Sequence, residues 1–145
     1  MKNTIIIHTD GGSRGNPGPA AIGVVIRDTD GRVMKSFGKA IGIATNNEAE
    51  YQAIVAALQK AKSLIGGKKS KETAVDMRMD SQLAARQLAG KYKIEEERLW
   101  PHFIKIWNLK TDFACVSFTH VPREENKDAD RMVNQALDGG QDPLF

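Results

Sequence analysis

The order of predicted strands and helices is the feature that most constrains how this chain can fold. Residues 4–9 (TIIIHT) form a β-branched run typical of a buried strand, and a segment rich in glycine and proline follows it. Two further strands are predicted over residues 20–27 and 32–40, joined by a turn at Asp30-Gly31. The first part of the chain therefore predicts an antiparallel meander.

The rest of the chain alternates between helical and strand patterns. The apolar spacing predicts a helix over 46–65 ended by Gly66-Gly67, a strand over 74–79, helices over 82–88 and after Pro101, a strand over 113–121 and a helix over 125–137. A meander followed by such alternation predicts an α/β fold whose mixed sheet has helices on both faces.

Length and composition favour one globular domain over residues 1–145, with 138–145 as a loose tail for which docking to a protein partner is a minor alternative. The apolar runs are too short to cross a bilayer and no targeting segment is evident, so we expect a cytoplasmic monomer that contacts no membrane. The net charge of +3 suits an anionic partner. The single cysteine, Cys115, excludes an internal disulfide, and we expect it to be buried.

Two aspartates follow strands at positions where open α/β sheets form sites. Asp10 stands after the first predicted strand, and Asp80 stands after the fourth, at the turn into a helix. Because sites form beyond the carboxyl ends of strands, the two side chains lie side by side if these strands are parallel neighbours. Asp80 alone fits a helix cap equally well, so the pair rather than either residue indicates chemistry.

The helix over 46–65 carries two glutamates that point in different directions. Ile54 belongs to the apolar stripe of this helix, and Glu50 precedes it by four residues, so both lie on the same face. Glu50 therefore points toward the sheet. Glu48 lies about 200° away around the helix, on a mostly wet face, and it has capping-box spacing from Thr45. We expect Glu48 to cap the helix, whereas Glu50 is a carboxylate aimed at the core that needs a partner.

The last predicted helix supplies a fourth carboxylate. Asp130 precedes Val133 by three residues and lies at the edge of the apolar stripe. Asp128 instead shares a face with Arg131. Asp130 is therefore the inward candidate of the two.

Four converging carboxylates cannot all remain ionised unless cations hold them. The chain has no histidine pair at ligand spacing to join them. Ligation by oxygen alone favours Mg²⁺ or Mn²⁺, and two ions ~3.5–4 Å apart are the usual device for in-line phosphodiester cleavage. The placement of the acids therefore predicts phosphoryl transfer.

Four sequence blocks also resemble a known family. TDGGSRGNPGPA, TNNEAEYQA, MDSQL and HVPREENKDAD occur in the order and spacing of ribonuclease H type 1, and the similarity runs from Ile5 to about Leu137. The resemblance implies the ribonuclease H-like fold, a five-stranded mixed sheet flanked by helices. It also implies hydrolysis of the RNA strand of RNA–DNA hybrids, leaving 5′-phosphate and 3′-hydroxyl ends.

By this resemblance, four acids hold two Mg²⁺ ions, for which Mn²⁺ can substitute: Asp10, Glu50, Asp80 and Asp130. Asp10 would bridge both ions. Asp80 and Asp130 would help hold the ion that activates water, and Glu50 would serve the ion at the leaving oxygen. His120 matches a family histidine in a mobile loop that assists proton transfer or product release, and a surface histidine at a strand end is the alternative.

The same resemblance implies contacts with the hybrid. The segment from Ser13 to Asn16 would approach the minor groove, where 2′-hydroxyls distinguish RNA from DNA. The residues that match substrate contacts are Ser13, Asn16, Thr45, Asn46, Asn47 and Gln82, with Thr45 matching a phosphate contact on the DNA strand. Since Thr45 also fits the helix cap, its hydroxyl has two alternative jobs.

Two departures from the family pattern affect the expected binding. The interval AGKYKIEEERLW leaves no room for the basic protrusion of many bacterial members, so we expect weaker and less salt-dependent binding. The sequence also shows no separate amino-terminal hybrid-binding domain, so we expect low processivity. The alternative functions are a non-catalytic module that binds hybrids or RNA, a same-fold nuclease that prefers duplex RNA, and the core of a recombinase.

Overall fold

The computed structural model describes residues 3–139. Its elements in chain order are β1 (Asn3–Ser13), β2 (Gly18–Asp28), β3 (Val33–Ala44), α1 (Asn46–Ile65), α2 (Gly67–Ser70), β4 (Thr73–Met79), α3 (Gln82–Leu88), α4 (Trp100–Lys110), β5 (Cys115–His120) and α5 (Lys127–Gly139). Single 3₁₀ turns precede α4 and α5, at Glu97–Leu99 and Arg123–Glu125.

The predicted strands and longer helices are confirmed in type and order. α1 has the predicted bounds, since Thr45 caps its start and the Gly66 N–H donates to the Lys62 carbonyl at its end. The meander strands are longer than predicted, and the short helix α2 lies where a loop was expected. Of the predicted tail, residues 138 and 139 belong to α5, and the remainder lies outside the described residues.

The five strands form one mixed sheet in the order β3-β2-β1-β4-β5. The meander pairs are antiparallel, whereas β1 with β4 and β4 with β5 are parallel. The parallel pairing of β1 and β4 ends at Thr9 opposite Met79, so Asp10 and Asp80, which follow these residues, lie side by side. Asp10 does not follow its strand as predicted, because β1 continues through it to Ser13 in its pairing with β2.

Helices cover both faces of this sheet, as predicted. The larger core lies under α1, α3 and α4, and it includes Ile7, Ile54, Leu58, Met77 and Ile106. The apolar spacing of α1 also predicts an inward Leu64, but Leu64 is 44% exposed, whereas the next residue, Ile65, packs against the core.

On the opposite face, α5 packs against β1, β2 and β3 through a smaller cluster that contains Ala21, Val133 and Leu137. The helix backbone lies very close to the sheet. A Cβ atom on Gly23 would lie 2.1 Å from the Ala129 carbonyl oxygen, and one on Gly38 would lie 2.3 Å from that of Met132. Glycines at these positions therefore permit the close docking of α5.

The expectation that Cys115 is buried is wrong. Cys115 is exposed, because it begins the edge strand β5. The half-buried side chains of that strand, Val116 and Phe118, pack against the larger core, so Cys115 lies on the other face of the strand. Within residues 3–139, every helix is too short or too polar to span a bilayer.

Candidate active site

The start of α1 has the predicted capping box. The Thr45 hydroxyl accepts a hydrogen bond from the Glu48 N–H at 3.1 Å, and Glu48 Oε1 accepts one from the Thr45 N–H at 2.9 Å. The Glu48 side chain is only 22% exposed and lies 3.8 Å from the Arg98 guanidinium, so its surroundings are less wet than predicted. Glu48 thus has a structural job that occupies its carboxylate.

Glu50 points to the opposite side, toward β1. The Gly11 N–H donates a hydrogen bond to Glu50 Oε1 at 2.8 Å. A Cβ atom on Gly11 would lie 2.2 Å from the carbonyl carbon of Ala49, so only glycine lets the first turn of α1 lie this close to β1. The glycine after Asp10 therefore brings Glu50 beside it.

Asp10 and Asp80 complete a compact cluster with Glu50. One carboxylate oxygen from each of the three residues lies within 4.8 Å of the other two. The alternative role of Asp80 as a helix cap is not used, because the Ser81 hydroxyl accepts the Ala84 N–H at 3.1 Å and caps α3. Asp80 is therefore available for the cluster.

Asp130 reaches the same cleft from the first turn of α5. Its side chain is exposed, lines the cleft and is close enough to Asp10 to raise the pKa of that carboxyl group. Asp128 points elsewhere and pairs with Arg27 at 2.5 Å and Arg131 at 3.0 Å, and the hydrogen bond from Arg27 lowers its pKa. Of the two aspartates, Asp130 is the one that faces Asp10.

The protonation of this cluster reflects its crowding. Burial, followed by the charge of Asp80 and the hydrogen bond with Asp130, raises the pKa of Asp10 to about 8. Burial and the charge of Asp10 raise the pKa of Glu50 well above its ordinary value. In the absence of cations the cluster therefore holds protons that ordinary carboxyl groups lose near pH 4.

A cleft of about 330 Å³ opens over the cluster. Its walls contain Asp10, Gly11, Gly12, Ser13, Arg14, Asn46, Glu50, Asp80, Arg123, Asp130, Val133, Asn134 and Leu137. On one wall, the Ser13 N–H donates to Asn46 Oδ1 at 2.9 Å and the Asn46 N–H donates to Asn16 Oδ1 at 3.0 Å. Three of the residues predicted to contact substrate are thus joined beside the carboxylates.

The other predicted site residues lie outside the walls of this cleft. Thr45 caps α1, and Asn47 Nδ2 lies 3.5 Å from Glu96 Oε1. Gln82 is exposed at the start of α3. His120 is exposed at the end of β5, in register with Met79, which precedes Asp80.

Two arginines in the cleft were not predicted from the sequence. Arg14 forms an ion pair with Asp138 at 2.7 Å, whereas Arg123 forms no ion pair within residues 3–139. Arg123 belongs to the polar segment between His120 and the last helix. Because that segment follows a strand that ends at the site, its position in the sequence could have indicated that Arg123 lies in the cleft. Its free guanidinium is suited to an anionic group.

Comparisons with known proteins identify the family of this chain. The sequence profile of the reverse transcriptase-like family matches residues 8–136. Ribonuclease HI of Halobacterium salinarum is 43% identical over 129 residues, which are 89% of this chain and 62% of that protein. This chain therefore spans less than two thirds of the length of that relative.

Solved structures are similar over almost the whole chain. LC11-RNase H1, isolated from compost by a metagenomic approach, is 45% identical with a TM-score of 0.90, and the match covers 97% of this chain and 99% of that one. The same enzyme has been crystallised in complex with an RNA/DNA hybrid, and that structure matches 95% of this chain and 99% of its own with the same TM-score. The predicted five-stranded mixed sheet is confirmed by these likenesses.

Proposed function

Because the chain belongs to the ribonuclease H type 1 family, we propose that it hydrolyses the RNA strand of RNA–DNA hybrids and leaves 5′-phosphate and 3′-hydroxyl ends. The observation that carries this proposal is the cluster of Asp10, Glu50 and Asp80 at the end of the parallel pairing between β1 and β4. Asp130, which lines the same cleft and raises the pKa of Asp10, adds the fourth acid.

The donor set fits divalent metal ions. Asp10, Glu50 and Asp80 offer only oxygen atoms, which are the ligands that Mg²⁺ prefers. Burial and neighbouring carboxylates raise the pKa of Asp10 and of Glu50, and a bound cation would favour the ionised form of both. These three residues and Asp130 would hold Mg²⁺, with Mn²⁺ as a substitute. Bound ions would supply Lewis-acid stabilisation and an activated water for in-line cleavage.

The chain itself supplies the orientation of these acids. The Gly11 N–H fixes one oxygen of Glu50, so the second oxygen is the one free to act. Asp10 and Asp80 directly follow Thr9 and Met79, which pair with each other in the neighbouring parallel strands β1 and β4. The two aspartates therefore have little freedom to separate. Preorganised ligands of this kind reduce the rearrangement that binding and catalysis require.

The polar wall of the cleft is suited to a hybrid substrate. We assign the linked residues Ser13, Asn16 and Asn46 to the minor groove, where amide and hydroxyl groups can reach 2′-hydroxyls. We assign Arg123 to a phosphate near the cleavage point, because its guanidinium is exposed in the cleft and offers bidentate hydrogen bonds. The hybrid-bound LC11-RNase H1 structure supports this class of substrate.

The remaining predicted contacts are proposed on resemblance and position. Thr45 and Asn47, at the start of α1, would contact the DNA strand, with Thr45 donating its hydroxyl proton while its oxygen caps the helix. Gln82 would contact the hybrid from the start of α3. His120 would assist proton transfer or product release from its exposed position after β5. We also propose a cytoplasmic monomer and, for the tail, docking to a protein partner.

A substrate panel tests the proposal. Purified protein is incubated with an end-labelled RNA–DNA hybrid, duplex DNA or duplex RNA, in Mg²⁺, Mn²⁺ or EDTA. We expect metal-dependent cuts in the RNA strand of the hybrid alone, and Asp10→Asn, prepared in parallel, controls for contaminating nucleases. Hybrid binding without cuts would identify a binding module, equal cutting of duplex RNA would identify a nuclease with wider specificity, and cutting of duplex DNA would contradict the proposal.

A further inference from the structure

The buried side chain of Asn126 joins the segments that carry the acids of the cleft. We propose that Asn126 is a positioning residue, which fixes the first turn of α5, and with it Asp130, relative to Asp10. This proposal rests on the proposed function, because the spacing of these two acids matters only if they act together. Asn126 is 1% exposed and lies between the 3₁₀ turn at Arg123–Glu125 and α5.

The side chain of Asn126 reaches β1 at Thr9. Its Nδ2 donates a hydrogen bond to the Thr9 carbonyl at 2.9 Å, across 117 positions of sequence. Thr9 directly precedes Asp10, and the parallel pairing of β1 with β4 ends at Thr9. The amide of Asn126 therefore ties the start of α5 to the residue beside Asp10.

The backbone of Asn126 connects two other residues of the cleft. Its N–H donates to the Arg123 carbonyl at 2.9 Å, and its carbonyl accepts the Asp130 N–H at 3.1 Å. A shift of Asn126 would consequently move the guanidinium of Arg123 and the carboxylate of Asp130 together. One residue thus couples both to the strand that carries Asp10.

The donor half of the amide is the part that this role requires. An aspartate at position 126 would bring a carboxylate oxygen against the Thr9 carbonyl, and alanine would leave that carbonyl without its partner. Within residues 3–139, Asn126 Oδ1 is buried without a hydrogen-bond partner. The side-chain hydrogen bond that Asn126 makes here therefore comes from its N–H group and not from its oxygen.

The test compares three variants of Asn126 with a structural control. Asn126→Asp removes the hydrogen-bond donor, and Asn126→Ala removes the whole polar group. Asn126→Ser keeps a donor on a shorter side chain. Thr73→Val is the control, because the fully buried Thr73 hydroxyl donates to the Lys69 carbonyl at 2.8 Å, at the start of β4 and the far end of the sheet. Circular dichroism and urea unfolding establish the folded fraction of each variant.

The measurements are kcat and KM for a hybrid over a range of Mg²⁺ concentrations, and Mn²⁺ binding by calorimetry without substrate. We expect Asn126→Asp and Asn126→Ala to lower kcat and to weaken Mn²⁺ binding by roughly ten- to a hundredfold, as for other residues that orient metal ligands. KM for the hybrid should change much less. Asn126→Ser should fall between wild type and alanine, and Thr73→Val should lower stability alone.

Several outcomes would overturn the proposal. One is a wild-type kcat and Mn²⁺ affinity in Asn126→Asp or Asn126→Ala. The others are equal effects of the serine and alanine substitutions, and an equal loss of kcat and Mn²⁺ affinity in folded Thr73→Val. If Asn126→Asp fails to fold, the serine and alanine pair decides. If the wild-type protein cuts no hybrid, the proposed function fails, but the Mn²⁺ titrations still test whether Asn126 positions the carboxylates.

Discussion

The two helices that bring acids to the cleft from outside the parallel strands are held in different ways. α1 buries seven of its 20 residues, and its Glu50 accepts a hydrogen bond from the Gly11 backbone. α5 buries three of its 13 residues, and its Asp130 is exposed. Glu50 is thus half-buried and held against β1, whereas Asp130 is exposed at the border of the cleft with solvent.

This difference separates two requirements of the site. Burial on the α1 side keeps Glu50, Asp10 and Asp80 close, at the cost of raised pKa values for the first two. The α5 side has fewer buried contacts and carries the residues nearest to solvent, where an incoming phosphate must be accommodated. We infer that the α1 side sets the spacing of the three clustered acids, whereas the α5 side presents a fourth acid that is open to solvent.

The largest effect is expected from a substitution on the α1 side. Glu50→Gln should reduce kcat on a hybrid by roughly a thousandfold or more, because it removes a charged oxygen proposed to bind metal. Stability should be unchanged or higher, since glutamine retains an acceptor for the Gly11 N–H without a buried charge. Initial rates and urea unfolding measure the two quantities, and near-normal turnover in the variant would show that Glu50 has no catalytic role.

A steric change tests why the α1 side is rigid. Gly11→Ala should lower the free energy of unfolding by about 2–3 kcal/mol and abolish most activity, because its Cβ would meet the Ala49 backbone at 2.2 Å. Gly12→Ala is the matched control, since its Cβ would meet Val133 Cγ1 at an ordinary 3.5 Å. Equal losses in the two variants would contradict the close approach of α1 to β1.

The equivalent change on the α5 side should have a smaller effect. Asp130→Asn should lower kcat by roughly ten- to a hundredfold, because the exposed side chain keeps one carbonyl oxygen and water can replace the other. The comparison is made with Glu50→Gln at the same saturating Mg²⁺ concentration. A loss in Asp130→Asn that equals or exceeds that of Glu50→Gln would contradict the difference between the two sides.

The protonation of the buried acids predicts how stability depends on pH. The folded pKa of Asp10, about 8, lies above its ordinary value of 3.8, so the folded state holds a proton that the unfolded state loses first. Its contribution to stability is therefore complete below pH 4 and is lost as pH rises through about 8. In EDTA, we expect the free energy of unfolding to fall by on the order of 4 kcal/mol between pH 5 and pH 9.

Two controls connect this pH dependence to the cluster. Asp10→Asn should flatten the decline, and saturating Mg²⁺ should oppose it, because a bound cation favours the ionised carboxylates. Urea unfolding at pH 5, 7 and 9 with EDTA or Mg²⁺ measures both effects. A wild-type stability that rises with pH in EDTA would mean that Asp10 is ionised in the folded protein.

Sequence periodicity could predict the features that depend on one helix and its neighbours in the chain. The phase of α1 separates Glu50 from Glu48, and the spacing from Thr45 predicts the capping box that the structure contains. The order of strands likewise predicts that Asp10 and Asp80 are adjacent. These features follow from local geometry and from the rules of strand connection.

Features that depend on approach between distant segments could not be predicted in the same way. The contact of Gly11 with Ala49 depends on how closely α1 docks onto β1, a distance that no sequence period encodes. Arg123 enters the cleft only because the 3₁₀ turn before α5 folds toward it. The exposure of Cys115 depends on the edge position of β5, which an apolar run does not reveal.

The smallest expected effect tests whether the two glutamates of α1 have separate jobs. Glu48→Gln should keep most of the hybrid-cleaving activity and lower the free energy of unfolding by about 0.5–1 kcal/mol, because glutamine makes a weaker bond to the Thr45 N–H. The substitution also removes the ion pair with Arg98, but this pair contributes little to stability because the atoms are 3.8 Å apart and the arginine is largely exposed. Urea unfolding and initial rates are measured beside Glu50→Gln. A large loss of turnover in Glu48→Gln with activity retained in Glu50→Gln would mean that the cap and the cleft acid have been assigned to the wrong residues.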